Sequence, residues 1–208
     1  MISTGSKDLD EFLEGYNKVS VIYGPAASGK TTLCLLATLQ QVKNNKKVLF
    51  LDTENGFSID RFKQLAKDNY EKYLDNVFLF KIKNFKEQQQ KIKDIKDLTE
   101  KSNISLVVID NIVIFYRMLL KRKKDLANNM LISQLRILNE ISNKIPVIIT
   151  SQVYSDIEDN KIKIVGGKIL ENNCNILIEL QNNPRKLILK NEKNEFLFKV
   201  VNEGIYKV

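Results

Sequence analysis

Gly24, Pro25, Ala26, Ala27, Ser28, Gly29, Lys30 and Thr31 constrain this chain more than any other stretch. They match the phosphate-loop pattern G-x-x-x-x-G-K-[ST] at every fixed position. Residues 19–23, Val-Ser-Val-Ile-Tyr, lie just before them and read as a buried strand. Residues 32–41, beginning Thr32-Leu33-Cys34, lie just after and read as a helix. Strand, glycine loop and helix form the context that the motif requires. The glycines let the backbone turn tightly around an anion with successive N–H groups pointing inward. The helix N-terminus adds partial positive charge. Lys30 is placed to reach the β- and γ-phosphates of ATP, and the Thr31 hydroxyl to ligate Mg²⁺. An ordinary glycine turn would not need these residues in register between two such flanks.

The chain has 208 residues, which suits a single domain. Its 43% hydrophobic and 28% charged residues are ordinary globular values that support a sizeable core. No apolar run is long enough to span a bilayer, and residues 1–7 lack the apolar stretch of a signal peptide. Cys34 and Cys174 lie far apart in apolar contexts and read as buried, reduced thiols, which fits the cytoplasm. There is no histidine. A zinc site of the Cys/His kind is excluded, and proton transfer must rest on carboxylates, lysines or water. The net charge of +8 permits nucleic-acid binding. Abundant lysine produces the same charge without any partner.

Along the chain, residues 1–18 form a lead-in whose Leu9, Phe12 and Leu13 share one face of a short helix. Ser6 or Asp8 can cap that helix, and Gly15 ends it. Residues 19–152 then alternate strand and helix. The further strands are expected at 48–51, 77–80, 106–109 and 146–150. The further helices are expected at 59–68, 85–101, 111–120 and 125–142. The strands are short, apolar and without alternation, as in a parallel sheet covered by helices on both faces. In residues 153–208 the pattern shortens. Ile162, Ile164, and the runs 176–178, 187–189 and 196–198 read as strands. The turn chemistry at 182–184 and 191–194 makes them an antiparallel extension of the sheet.

Ligands in such sheets bind beyond the carboxyl ends of the strands. Glu54, Asp110 and Gln152 each follow an expected strand at that edge, as the phosphate loop does. Asp110, behind four apolar residues, sits where an NTPase places its Mg²⁺-supporting carboxylate. Glu54 is the candidate group to orient and deprotonate water. Asp52 could do the same work, or, lying nearer the strand end, hydrogen-bond the phosphate-loop region instead. Gln152 can sense a γ-phosphate through its amide. Lys121, Arg122, Lys123 and Lys124, with Arg117 one turn earlier, are the best candidates for contacts to DNA phosphates. Lys161, Lys163 and Lys168 offer a second basic strip. A solvated turn accounts equally well for the charge run.

Taken together, these motifs resemble the RecA/RadA recombinase family, and within it most closely the archaeal RadB branch. The resemblance rests on Ser3-Thr4-Gly5 with Leu9-Asp10 and Leu13, and on Tyr23-Gly24-Pro25 leading to Gly29-Lys30-Thr31-Thr32. It continues through Leu51-Asp52-Thr53-Glu54, Val107-Val108-Ile109-Asp110, Ile149-Thr150-Ser151-Gln152-Val153 and Gly166-Gly167-Lys168-Ile169-Leu170-Glu171. It covers nearly the whole chain. It implies one RecA-like P-loop ATPase domain over 1–208, in which another strand separates the two nucleotide motifs. It implies Glu54 as catalytic carboxylate, Asp110 as Mg²⁺ support and Gln152 as γ-phosphate sensor. DNA-binding loops are implied near 117–124 and 154–165.

Several positions depart from the family pattern. Asn111 stands where serine is usual, Ser151 where asparagine is usual, Tyr16 in place of a second glycine, and Asn172 where histidine is frequent. No helix-hairpin-helix segment or polymerisation segment is evident ahead of the core, and the loop after Gln152 is short. The resemblance therefore implies an accessory of recombinational DNA repair, weak in ATPase activity, with a recombinase or repair nuclease as partner, rather than a filament-forming strand exchanger. The alternative is a KaiC-like or other ATP-gated interaction module without DNA binding. A small-molecule phosphotransferase would need a substrate pocket and lid that the sequence does not display.

Overall fold

The computed structural model describes residues 1–101, 103–156, 161–190 and 194–208. Most of the turn expected at 191–194, residues 157–160 of the second expected DNA-binding loop, and the side chain of Lys161 fall outside what it describes.

The elements run, in order, α1 (Lys7–Leu13), β1 (Val19–Tyr23), α2 (Lys30–Lys43), β2 (Lys47–Asp52), α3 (Ile59–Ala66), α4 (Tyr70–Leu74) and β3 (Val77–Lys81). They continue with α5 (Phe85–Lys101), β4 (Ile104–Asp110), α6 (Ile114–Leu120), α7 (Lys124–Ser142) and β5 (Val147–Ser151). The last are β6 (Val153–Asp156), β7 (Lys161–Ile164), α8 (Gly167–Asn173), β8 (Ile176–Asn182), β9 (Arg185–Leu189), β10 (Glu195–Val201) and β11 (Gly204–Lys207). Among the described residues, nine strands form one sheet in the order β11-β10-β9-β8-β1-β5-β4-β2-β3. From β8 to β3 neighbouring strands are parallel, and β9, β10 and β11 continue antiparallel. The loop-bearing β1 and the Asp110-bearing β4 are separated by β5, as the resemblance implies.

The apolar strands read as runs because both sheet faces are covered. Val107 and Ile109 join the core under α5, α7 and α8, while Leu106 and Val108 join the core under α1, α2 and α3. All four are fully buried. Each such side chain contributes roughly 1.5–3 kcal/mol through burial. The helix over residues 59–66 starts at Ser58, whose hydroxyl accepts the Arg61 N–H at 3.1 Å. No helix among the described residues is long and apolar enough to cross a membrane.

Some expectations need correction. Ile162 and Ile164 do not extend the main sheet. They lie on β7, which among the described residues pairs only with β6, in a separate antiparallel ribbon. Ile164 is buried and Ile162 is 53% exposed, so only one face of that ribbon packs. The first helix ends at Leu13, with its cap Glu14 in the left-handed region at φ 55° and Gly15 directly after it at φ 84°. The Ser6 hydroxyl does not cap α1; it donates to the Ile205 carbonyl at 2.9 Å and ties the lead-in to β11. Helices α4 and α8 and strands β6 and β11 are absent from the sequence-based expectation, because each is too short to show a period.

Candidate functional site

The phosphate loop leaves β1 at Gly24, and only glycine fits there. A Cβ on Gly24 would lie 2.5 Å from the Leu180 carbonyl oxygen of β8. Gly29, at φ 107°, begins α2, and no side chain caps that helix end. Its first N–H groups are therefore available to an anion. The Ser28 hydroxyl is buried in the loop with no hydrogen-bond partner. Lys30 folds back over the loop, its Nζ donating to Gly24 O at 2.9 Å and Pro25 O at 2.7 Å. Burial pushes its pKa down, while the Asp110 and Glu54 charges oppose that shift.

Asp110 closes β4 with 4% exposure. Its Oδ2 accepts from the Thr31 hydroxyl at 2.6 Å, and its Oδ1 accepts from the Thr150 hydroxyl of β5. Burial raises its pKa most, against the lowering effect of the Thr150 and Thr31 hydrogen bonds; Asp52 raises it further and Lys30 lowers it. A carboxyl whose folded pKa is raised binds its proton more tightly in the folded state. The free protein is thus expected to lose stability as pH rises from the ordinary aspartate value through the raised one. Asp110→Asn should flatten that slope, measured by chemical denaturation across the acid range. An unchanged slope would show that Asp110 carries no such cost.

Glu54 stands opposite, beyond β2, held at both oxygens. Asn111 Nδ2 donates to its Oε2 at 2.5 Å and Gln152 Nε2 to its Oε1 at 2.6 Å. Burial of the carboxylate and the Asp110 charge push its pKa up, opposed by Asn111, Lys30 and Gln152. Asn111 cannot turn freely, because its Oδ1 accepts the Val113 and Ile114 N–H groups at 3.1 and 2.8 Å. Thr53 fixes the same segment by bonding both the N–H and the C=O of Asn111. Asp52 does not reach the phosphate loop. It accepts the N–H groups of Glu54, Gly56 and Phe57, so it shapes the turn that presents Glu54. Finally, Arg117 Nη1 donates to Gln152 Oε1 at 2.8 Å.

These groups surround a cavity of about 580 Å³ lined by Gly24, Pro25, Ala26, Ala27, Ser28, Gly29, Lys30, Thr31 and Thr32, with Glu54, Asp110 and Gln152. The cavity also takes Arg185 and Val200, which the sequence does not flag. Arg185 donates to Ala27 O at 3.2 Å, and Asn182, beside it at the β8–β9 turn, to Ala26 O at 3.1 Å. Only the order of strands brings these residues to the loop, and no local motif announces them. The donor set fits a nucleotide triphosphate with Mg²⁺. An ammonium, an uncapped helix end and an unpartnered hydroxyl face the anion, and a hydroxyl beside a carboxylate offers hard oxygen ligands. No cluster of three His, Cys, Asp or Glu residues that could hold a metal ion exists among the described residues. Mg²⁺ shared with phosphates does not require one.

The basic residues divide. Arg117, Lys121 and Arg122 line a groove of about 640 Å³ with Lys83, over a floor that includes Phe85, Phe115 and Met118. Met118 is 65% exposed there. Lys123 and Lys124 are exposed at the start of α7. Lys168 belongs to another cavity, beside Tyr23 and Tyr154 and next to the β6–β7 ribbon.

A family model described as Rad51 matches residues 1–205. The DNA repair and recombination protein RadB of Thermococcus kodakarensis is 39% identical over 193 residues, covering 89% of this chain and 85% of the relative. The protein of the same name from Methanococcoides burtonii is 35% identical over 187 residues, covering 84% of this chain and 80% of the relative. A solved structure described as the crystal structure of the RadB recombinase matches with a TM-score of 0.82 at 34% identity, covering 100% of both chains. The chain belongs to the Rad51 family, in its RadB branch.

Proposed function

We propose that this chain is an ATP- and Mg²⁺-binding accessory of homologous recombination that engages DNA and hydrolyses ATP slowly, acting as one ATPase domain over residues 1–208. Membership in a nucleotide-binding family of DNA repair and recombination is the setting. The observation that carries the reading is the convergence of Lys30, Thr31, Asp110, Glu54 and Gln152 on one cavity at the carboxyl edge of the sheet. Lys30 exchanges its two carbonyl contacts for phosphate oxygens. Thr31 and Asp110 hold Mg²⁺, which supplies charge neutralisation to the phosphates when bound. Glu54 orients water and accepts its proton at a carboxylate oxygen. Gln152, already bonded to Glu54, reads whether a terminal phosphate is present. A recombinase or repair nuclease is the protein partner that fits such an accessory.

We assign DNA to the face of Arg117, Lys121, Arg122, Lys123 and Lys124, of which Arg117, Lys121 and Arg122 line a basic groove with an apolar floor. Changing Lys121, Arg122, Lys123 and Lys124 together to alanine should weaken DNA binding. It should also flatten the dependence of log affinity on log salt by about 0.7–0.9 for each phosphate no longer neutralised. Fluorescence anisotropy with a short labelled oligonucleotide over a salt series reads both. An unchanged slope removes this segment from the DNA surface.

A further inference from the structure

We propose that Arg61 is a positioning residue for nucleotide binding: its guanidinium clamps the β10–β11 turn and so holds Val200 against the cavity as the wall that meets the nucleoside. The inference rests on the ATP-binding reading above and adds which part of the chain recognises the part of ATP beyond its phosphates.

The cavity has two ends. Glu54, Asp110 and Gln152 stand at the ends of β2, β4 and β5 and mark the end taken by the terminal phosphate and Mg²⁺. Arg185 and Val200 line the same cavity from β9 and β10. In the sheet those strands lie on the other side of the loop-bearing β1. A triphosphate laid along the loop with its terminal phosphate near Glu54 therefore carries its nucleoside towards β9 and β10. The chemistry of that end agrees. An apolar side chain gives nothing to a phosphate but packs against a ribose or a base, and a guanidinium stacks on aromatic faces.

Val200 is set by its strand. Phe196 and Phe198 are buried in the core under α1 and α2, and by alternation Val200 lies on the same side and packs against that core. Its partner across the hairpin, Ile205, is buried as well. A Cβ on Gly29 would lie 3.9 Å from Val200 Cγ2, so the side chain stands over the start of α2. The turn just beyond it is fixed by Arg61, 140 residues from Val201 in the chain. Arg61 Nη2 donates to Val201 O at 2.8 Å, and Nη1 to Asn202 O at 3.1 Å. Nη1 also donates to Gln64 Oε1 at 3.0 Å, which holds the guanidinium on α3. One planar group on two successive carbonyls sets the angle of the turn as well as its distance, which a lysine ammonium does not do. Helix α3 itself follows the turn that presents Glu54, so the clamp joins the two ends of the cavity around the phosphate loop.

Titration calorimetry on the full chain tests this with ATP and with inorganic tripolyphosphate, each with Mg²⁺. Tripolyphosphate fills the phosphate loop and has no nucleoside. Arg61→Ala should weaken ATP binding by about three- to tenfold, the scale of losing a half-buried apolar contact, and leave tripolyphosphate within about twofold. Arg61→Lys should fall between. Val200→Ala should show the same split between the ligands. In a Val200→Ala background, Arg61→Ala should add little, because both changes remove one contact. Equal losses for the two ligands would mark Arg61 as a merely structural support of the loop and overturn the proposal. So would unchanged ATP binding in Arg61→Ala, or effects of Arg61→Ala and Val200→Ala that simply add. Thermal melts confirm that each variant is folded, and Arg61→Lys with Val200→Ala decides if Arg61→Ala is not. A wild-type chain that binds neither ligand overturns the ATP-binding reading and this inference together. A wild-type chain that binds tripolyphosphate as tightly as ATP overturns this inference alone.

Discussion

Lys30→Ala is expected to lower ATP affinity by about 100-fold or more, the cost of losing charge-assisted hydrogen bonds worth roughly 1.5–3 kcal/mol each. The ammonium is the only cation of the phosphate loop, residues 24–31. It lies folded over the loop on the Gly24 and Pro25 carbonyls, so it is already positioned where phosphate oxygens would arrive. Burial pulls its pKa down, and Asp110 and Glu54 oppose that shift. Those two carboxylates therefore favour the charged form that phosphate binding needs. Removing Lys30 leaves Arg185 to face both Asp110 and Glu54 across the cavity, so an incoming triphosphate would meet net negative charge. Titration calorimetry with ATP and Mg²⁺ reads the loss directly. Normal affinity in the variant would contradict the assignment of the cavity.

Glu54→Gln should have the second largest effect, and of a different kind. ATP binding should change by no more than about threefold, while turnover falls by about 10²–10⁴-fold, the usual worth of a general base. The substitution keeps the length of the side chain but cannot accept a proton from water. It also disturbs its neighbours. Asn111 cannot flip to match an amide, because its oxygen is committed to the Val113 and Ile114 N–H groups. One of the two donors that now meet Glu54, Asn111 Nδ2 or Gln152 Nε2, must then face another donor. Asp52 cannot take over, since its carboxylate is committed to three backbone N–H groups. Single-turnover measurement of phosphate release separates the chemical step from binding. Wild-type turnover in the variant would mean that water is activated elsewhere.

The parts of this site legible in the sequence are those tied to strand ends. A buried parallel strand is a short apolar run, and the residue that follows it stands at the ligand edge. Lys30, Thr31, Glu54, Asp110 and Gln152 can therefore be located without coordinates. Contact across the sheet is not legible in that way. Arg185 and Asn182 reach the phosphate loop because β8 lies beside β1, though about 160 residues separate them in the chain. The role of Asp52 differs from its expected one because the sequence shows a carboxylate at a strand end but not which way the next turn folds. Asn111 departs from the family pattern by sequence. In place it caps the entry to α6 and donates to Glu54, which serine is too short to do by the same contacts. Strand β7 reads as main-sheet strand because the alternation of Ile162 and Ile164 reports a half-buried strand without naming its partner. Charge and spacing alone mark Arg117 as a candidate DNA contact. Its second contact, to Gln152, depends on where β5 ends relative to α6.

Nucleotide and DNA are both proposed ligands of this chain, and linkage between their binding is the expected outcome. An equilibrium titration of the full chain with a labelled oligonucleotide, over a salt series, without nucleotide and with saturating ATP and Mg²⁺, tests it most directly. Salt-dependent binding is expected in both conditions, with an affinity that shifts when nucleotide is present. No binding at moderate salt, or the same affinity with and without nucleotide, would contradict it.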